Sequence, residues 1–479
     1  MISIQSKIAA IALLLSLKYV QATSVRQSKG VQPIQQMKKK KAKAPPVIYD
    51  TDYGPFVDDV FALGLIINSG DLLDLKYIIS TGEKPAISAQ CAAKHLDLAD
   101  RSDIPVGIGA SFPEHSLRGG VCAIPGLVGF ALEEKCNAGT PLPVDEDGIG
   151  AVAKMIVESG RDDWWYIAVG GQSTVKKLIQ EYPEAAAKIS TLIAMAGNWC
   201  VNFQPYPNVD APTDETNVSC DPAASNFVVD RNVSPFQKVY FVPVEVAYKI
   251  GGKDYSKIVE AAKSGSDVGA SATLDFYKDW SAAGRGNENL LIHPEAVKHD
   301  PDTESTPMFD PCAIMLAIEL IDDEACENRL TLIDIEAVHF VEADDGFQNN
   351  LPNSPRSAFS LLPTGFSLDK FPDQCPNMTS HTFDPEVTPE AEMPVTVAIG
   401  FENQAAKDSF YAEMAERIAG IFGGKSSFSK CYVAGDGLRN SLATPPRSLP
   451  FIATANVSVD ILSNQCPMLA AESFLYDKS

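Results

Sequence analysis

Apolar residues along this chain recur in two alternating rhythms. Val47 to Tyr49 is a short apolar run of the kind a buried strand uses, and the apolar-rich stretch from Val60 to Asn68 has the length of the helix that would follow it. The cycle repeats with strand 75–80, helix 86–100 and strand 104–109, then helix 150–159, strand 164–169, helix 173–180 and strand 192–195. Helix 222–229, strand 239–242, helix 311–321, strand 395–399 and helix 403–422 extend it. Strands separated by helices predict an α/β fold with an open, mostly parallel, Rossmann-like sheet flanked by helices. In such sheets ligands bind beyond the carboxyl ends of the strands. Residues 50–59, 81–83 and 198–217 all fall at such ends.

The pattern fails in three places. Residues 1–22 begin with a lone Lys7, run apolar from Ile8 to Leu17 and finish Val20-Gln21-Ala22, the layout of a signal peptide. That run is about half of the roughly 20 residues a membrane span needs. Residues 23–44, with the basic run Lys38 to Lys43, read as a linker or pro-segment, and 45–425 as the principal domain. Within it, 343–393 is rich in Pro, Asp, Asn and Ser and reads as an inserted loop, and 426–479 as a C-terminal extension.

Composition narrows the partners. A net charge of −23 tells against nucleic-acid binding, which needs clustered Lys and Arg. Ten cysteines fit an oxidising compartment, and no pattern of paired C-x-x-C supports structural zinc. Secretion, or residence in the lumen of the secretory pathway including a vacuole or lysosome, is the expected location. Asn217, Asn232, Asn377 and Asn456 each open an N-x-[ST] sequon.

The densest chemistry lies in Asp50-Thr51-Asp52-Tyr53-Gly54-Pro55-Phe56-Val57-Asp58-Asp59, four carboxylates at a strand end beside a helix start. Acids so close repel unless a cation neutralises them, and hard oxygen donors select calcium or magnesium. The same residues also suit the acidic first turn of a helix.

This stretch resembles the amino-terminal signature of the inosine–uridine-preferring nucleoside hydrolase family, D-x-D-x-G-x-D-D, with two extra residues before the acid pair. Further likenesses follow in order. They are Asp103 to Gly109, Met195-Ala196-Gly197-Asn198-Trp199, Glu215-Thr216-Asn217 with Asp221-Pro222-Ala223-Ala224, and Asp310-Pro311. The resemblance implies hydrolysis of the N-glycosidic bond of a small-molecule ribonucleoside to free base and ribose. It further implies one Ca²⁺ held by Asp52, Asp59, Asp310 and the carbonyl of Ser173, with Asp52 as general base. Asp58, Asn198, Glu215 and Asn217 would hold ribose hydroxyls, with Glu83 beside them. Members of that family assemble as dimers or tetramers, so a homo-oligomer is expected.

Two positions depart from the family pattern. Glu83 stands where a ribose-binding amide is usual. Phe309 replaces the His of H-D-P, removing a group able to protonate a leaving base, so weak action on purine nucleosides is expected and Phe309 would stack on the base instead. These departures also suit a second reading, a non-catalytic nucleoside or carbohydrate binder on the same fold. A phosphatase starting D-x-D after a strand is disfavoured, since no later Lys and paired-acid motif stands in good context.

Overall fold

The computed structural model describes residues 44–53, 58–113, 136–137, 139–197, 216–244, 246–247, 250–251, 305–306, 308–321, 329–335, 339–340, 360–363, 382–383 and 394–422. The expected leader, the linker up to residue 43 and the C-terminal extension lie outside them, as do Asn198 and Glu215. Among the described residues no helix is long and apolar enough to cross a membrane.

The expected alternation is present. In chain order the elements run β1 (Pro46–Thr51), α1 (Asp58–Asn68), β2 (Asp74–Gly82), α2 (Pro85–Leu98), β3 (Val106–Ser111), α3 (Gly148–Glu158) and β4 (Trp164–Ala168). They continue with α4 (Ser173–Glu181), α5 (Pro183–Ala186), β5 (Ile189–Met195), α6 (Thr216–Ser219), α7 (Pro222–Val229) and β6 (Lys238–Val242). Two short strands, β7 (Ile250–Gly251) and β8 (Ser305–Thr306), pair with each other, followed by α8 (Phe309–Ile321) and β9 (Leu330–Ile335). Then come β10 (His339–Phe340), β11 (Ser360–Pro363), β12 (Thr382–Phe383), β13 (Val395–Phe401) and α9 (Gln404–Phe422).

Eight strands form one sheet in the order β3-β2-β1-β4-β5-β6-β13-β9. All neighbours are parallel except β13 and β9, which run antiparallel at the edge. The strand order reverses between β1 and β4, and a crevice at such a reversal is where open α/β sheets bind ligands. Two features differ from the sequence expectation. Strand β9 was not anticipated, because an antiparallel edge strand follows no helix-strand rhythm. Strands β11 and β12 lie inside 343–393, where only a loop was expected, and with β10 they make a small sheet.

Side chains alternate across the strands and sort the core into two layers. Val47 and Tyr49 face a layer built with α1, α2, α8 and α9, whereas Ile48 faces one built with α3, α4 and α7. The parallel strands are buried on both faces, which explains why they read as continuous apolar runs rather than alternating ones.

A buried ionic network holds α8 in place. Arg329, at the start of β9, donates from Nε to Glu319 of α8 at 2.7 Å and pairs through Nη1 with Glu413 of α9 at 2.8 Å. Arg417 closes on Glu413 at 2.7 Å. Removing the central cation would leave the buried Glu319 without its cation and Glu413 with Arg417 alone. Arg329→Leu is therefore expected to destabilise the fold by about 3–5 kcal/mol, checked by chemical denaturation against the wild type.

Candidate active site

Three elements end or begin at the reversal point, and each brings a carboxylate. β1 runs into Asp50 and Asp52, Asp58 and Asp59 open the first turn of α1, and Asp310 lies in the first turn of α8. Helices α1 and α8 pack together in the same core layer, which sets their amino-terminal ends side by side. One carboxylate oxygen from each of Asp58, Asp59 and Asp310 lies within 4.8 Å of the other two. The helix starts favour negative charge, and backbone N–H groups of Asp58, Asp59 and Asp310 act on the Asp58 carboxylate.

Strand alternation splits the run of acids that looked continuous in sequence. Thr51 shares the face of Tyr49, and its hydroxyl donates to Asp59. Asp50 faces the other layer, where Tyr166 of β4 donates to its Oδ2 at 2.8 Å. Asp50 therefore does not join the trio, a correction to the four-acid cluster expected from sequence.

Asp52 sits where β1, β2 and β4 end together. A Cβ added to Gly82 would lie 3.0 Å from the Asp52 Cβ, and Gly82 itself has a φ of +118°. A Cβ on Gly170 would lie 2.4 Å from Thr81 Cγ2 and 3.1 Å from the Asp52 nitrogen. Glycine is required at 82 by its positive φ and at 170 by the crowding of Thr81 and Asp52. Asp52 keeps partial contact with solvent, whereas Asp58, Asp59 and Asp310 are buried.

Burial is the main force on these groups. It pushes Asp52 up to about 6 and Asp58 up to about 7, with the charge of Asp52 adding to the second. Burial raises Asp59 and Asp310 as well, and the neighbouring acids raise them further. Among the described residues no basic side chain acts on any of the four. Asp58 Oδ1 is buried without a hydrogen-bond partner among the described residues. Enclosed hard oxygen donors, one of them unsatisfied, fit a divalent cation such as calcium.

The other expected residues are placed as follows. Ser173 begins α4, buried, and its hydroxyl donates to Asp221 Oδ2 at 2.6 Å, while Asp221 caps α7 by accepting from the Ala224 nitrogen. Asn217 is buried, and its Nδ2 donates to the carbonyls of Val169 at 2.6 Å and Met195 at 2.9 Å, tying the ends of β4 and β5 together. Glu83 is exposed just past β2. Phe309 packs in the core layer of α1 and α8, next to Asp310.

Sequence reasoning passed over Thr51 and Asp221. Thr51 is an unremarkable residue within the motif until strand alternation aims it at Asp59. Asp221 was read only as part of a motif, and its partner Ser173 lies 48 positions away.

The family model for inosine-uridine preferring nucleoside hydrolases matches residues 47–398. The pyrimidine-specific ribonucleoside hydrolase RihA of Salmonella newport is 29% identical over 214 residues, 43% of this chain and 61% of that protein. RihA of Citrobacter koseri is 27% identical over 286 residues, 56% of this chain and 78% of that protein. The chain thus spans about three fifths of the first of these relatives. A solved plant nucleoside hydrolase superposes with a TM-score of 0.51 at 16% identity, covering 78% of this chain and 99% of that one, a likeness of fold.

The acid cluster makes a two-part prediction. Without divalent cations, Asp59→Asn should raise the melting temperature, because it removes one buried charge from a cluster of like charges. Calcium at about 100 times its Kd should stabilise the wild type by about 2.7 kcal/mol and the variant far less, read by calorimetry with and without chelator. Equal calcium stabilisation of the two proteins would remove Asp59 from the cation site.

Proposed function

The chain belongs to the inosine-uridine preferring nucleoside hydrolase family, and from that premise we propose that it hydrolyses the N-glycosidic bond of ribonucleosides to free base and ribose. The observation that carries this reading is the enclosed trio of Asp58, Asp59 and Asp310 beside the partly exposed Asp52, at the sheet's reversal point. Asp52, Asp59, Asp310 and the Ser173 carbonyl would hold calcium. Bound there, the ion would supply the positive charge that lowers the pKa of a water near the anomeric carbon.

Asp52 is then the general base. It alone among the four combines solvent contact with a place at the strand ends, so it can take a proton from water while the trio stays enclosed. The sugar gains positive character as the bond to the base breaks, and the surrounding carboxylates favour that charge. Asp58 would accept from ribose hydroxyls with Asn198 and Glu215. Asn217, its amide nitrogen donating to Val169 and Met195, would complete the set of ribose-facing residues. Glu83 at the exposed rim would accept from a hydroxyl, whereas Phe309, buried in the core layer, would support Asp310 rather than stack on the base.

Pyrimidine nucleosides are the proposed preference. Phe309 cannot protonate a leaving base, and the RihA relatives are named as pyrimidine-specific. The same Phe309 favours the second reading, a nucleoside binder without turnover.

Export to an oxidising compartment is also proposed. The disulfide between Cys91 and Cys136 supports it, together with the leader-like pattern at residues 1–22. Asn232 lies in an exposed turn after α7, whereas Asn217 is buried and hydrogen-bonded. After expression through a eukaryotic secretory pathway, a glycopeptide map should find a glycan on Asn232 and none on Asn217. A glycan on Asn217 in active protein would remove it from the ribose site.

The function itself is tested by measuring reducing ribose released from uridine, cytidine, inosine and adenosine, with and without chelation. Calcium-dependent release, greater for the pyrimidines, is expected, and Asp52→Asn should lower kcat by at least about 10²- to 10⁴-fold. Nucleoside binding by the wild type with no ribose release would establish the binder instead.

A further inference from the structure

Tyr53 follows Asp52 directly and opens the segment that is two residues longer than the family motif. Its side chain is fully buried, and so is His95. Tyr53 Oη lies 2.8 Å from His95 Nδ1, and the two rings meet edge to face at 6.0 Å between centroids and 68° between planes. A buried phenol hydroxyl or imidazole nitrogen is costly unless paired, so this bond fixes where the Tyr53 ring can rest.

The histidine comes from a well-anchored element. His95 lies in the last turn of α2, and Cys91, four residues earlier on the same helix face, is bonded to Cys136. Helix α2 packs in the same core layer as Tyr53, α1 and α8. On the other sides of Asp52, a Cβ added at Gly82 would lie 3.0 Å from the Asp52 Cβ and one at Gly170 would lie 3.1 Å from its nitrogen, both tighter than ordinary contacts. Asp52 is therefore confined by the end of β2, by the turn after β4, and through Tyr53 by α2.

We propose that the hydrogen bond between Tyr53 and His95 is a positioning device for Asp52, holding the start of the lengthened segment so that this carboxylate meets both the cation and the reacting water. The inference rests on Asp52 serving as calcium ligand and base. Neither Tyr53 nor His95 touches substrate; both act through the backbone at Asp52. The precision gained matters because a displacement of about 1 Å in a reacting group can cost on the order of 100-fold in rate.

The test uses the full chain and four variants: Tyr53→Phe, His95→Leu, their double, and His95→Asn, whose amide places a polar atom near the position of Nδ1. Three quantities are read: calcium affinity by isothermal titration without substrate, kcat and KM for uridine, and melting temperature. Tyr53→Phe and His95→Leu should each weaken calcium binding about tenfold and lower kcat about 10- to 100-fold, with KM changed by less than about twofold. The double variant should be no worse than the singles, and His95→Asn should recover most of both losses.

Lower melting temperatures with unchanged calcium affinity and kcat would overturn the proposal, leaving the pair a packing contact. Additive losses in the double variant would overturn it too. Tyr53→Phe keeps the ring's shape and decides the matter even where His95→Leu fails to fold. A wild type that binds calcium but releases no ribose refutes the hydrolase reading alone, because the calcium affinities of the variants still decide the role of the pair. A wild type that binds no calcium overturns both.

Discussion

Three carboxylates buried within 4.8 Å of one another, with a fourth beside them and no basic side chain among the described residues acting on any, set the condition that the rest of this fold meets. Like charges removed from water repel strongly, and burial alone pushes each of these groups toward its protonated form. The surroundings soften that cost in specific ways. Two helix starts point their N–H groups at the acids, Thr51 donates to Asp59, and the oxygens converge as a cation would require.

That condition explains features that look unrelated along the chain. Asp310 can complete the trio only if α8 keeps its place against α1, and the buried Arg329 network ties the body of α8 to β9 and α9. Asp52 is seated between two glycines, Gly82 with a φ of +118° and Gly170 with no room for a side chain beside Thr81. Asn217 spends both amide hydrogens joining the ends of β4 and β5, so the crevice walls are cross-braced by a residue that sequence alone cast as a ligand for sugar. Stability and function share these contacts, because the walls that exclude water also carry the acids.

Much of the architecture was legible in the sequence. The β/α rhythm is visible because parallel strands buried on both faces are plain apolar runs separated by helix-length segments. The acids at 52, 58, 59 and 310 stood out because such residues at strand ends and helix starts are chemically conspicuous. The antiparallel β9 and the small strands β11 and β12 were not legible, since short strands carry little periodic pattern and take their form from partners distant in sequence. Thr51, Tyr53 and His95 were equally silent: a threonine, a tyrosine and a lone histidine carry no chemical signature until packing gives them neighbours.

The sequence by itself determined the fold class, the likeness to a family and the set of acids, because those depend on local periodicity and on residue types at short spacing. Only the tertiary structure decided which acids act together. It turned Asp50 toward Tyr166 and Asp59 toward Thr51, brought Asp310 to residues some 250 positions earlier, and joined Tyr53 to His95. The reason is geometric. A strand sends successive side chains to opposite faces, and distant segments meet only where the sheet order and helix packing bring their ends together.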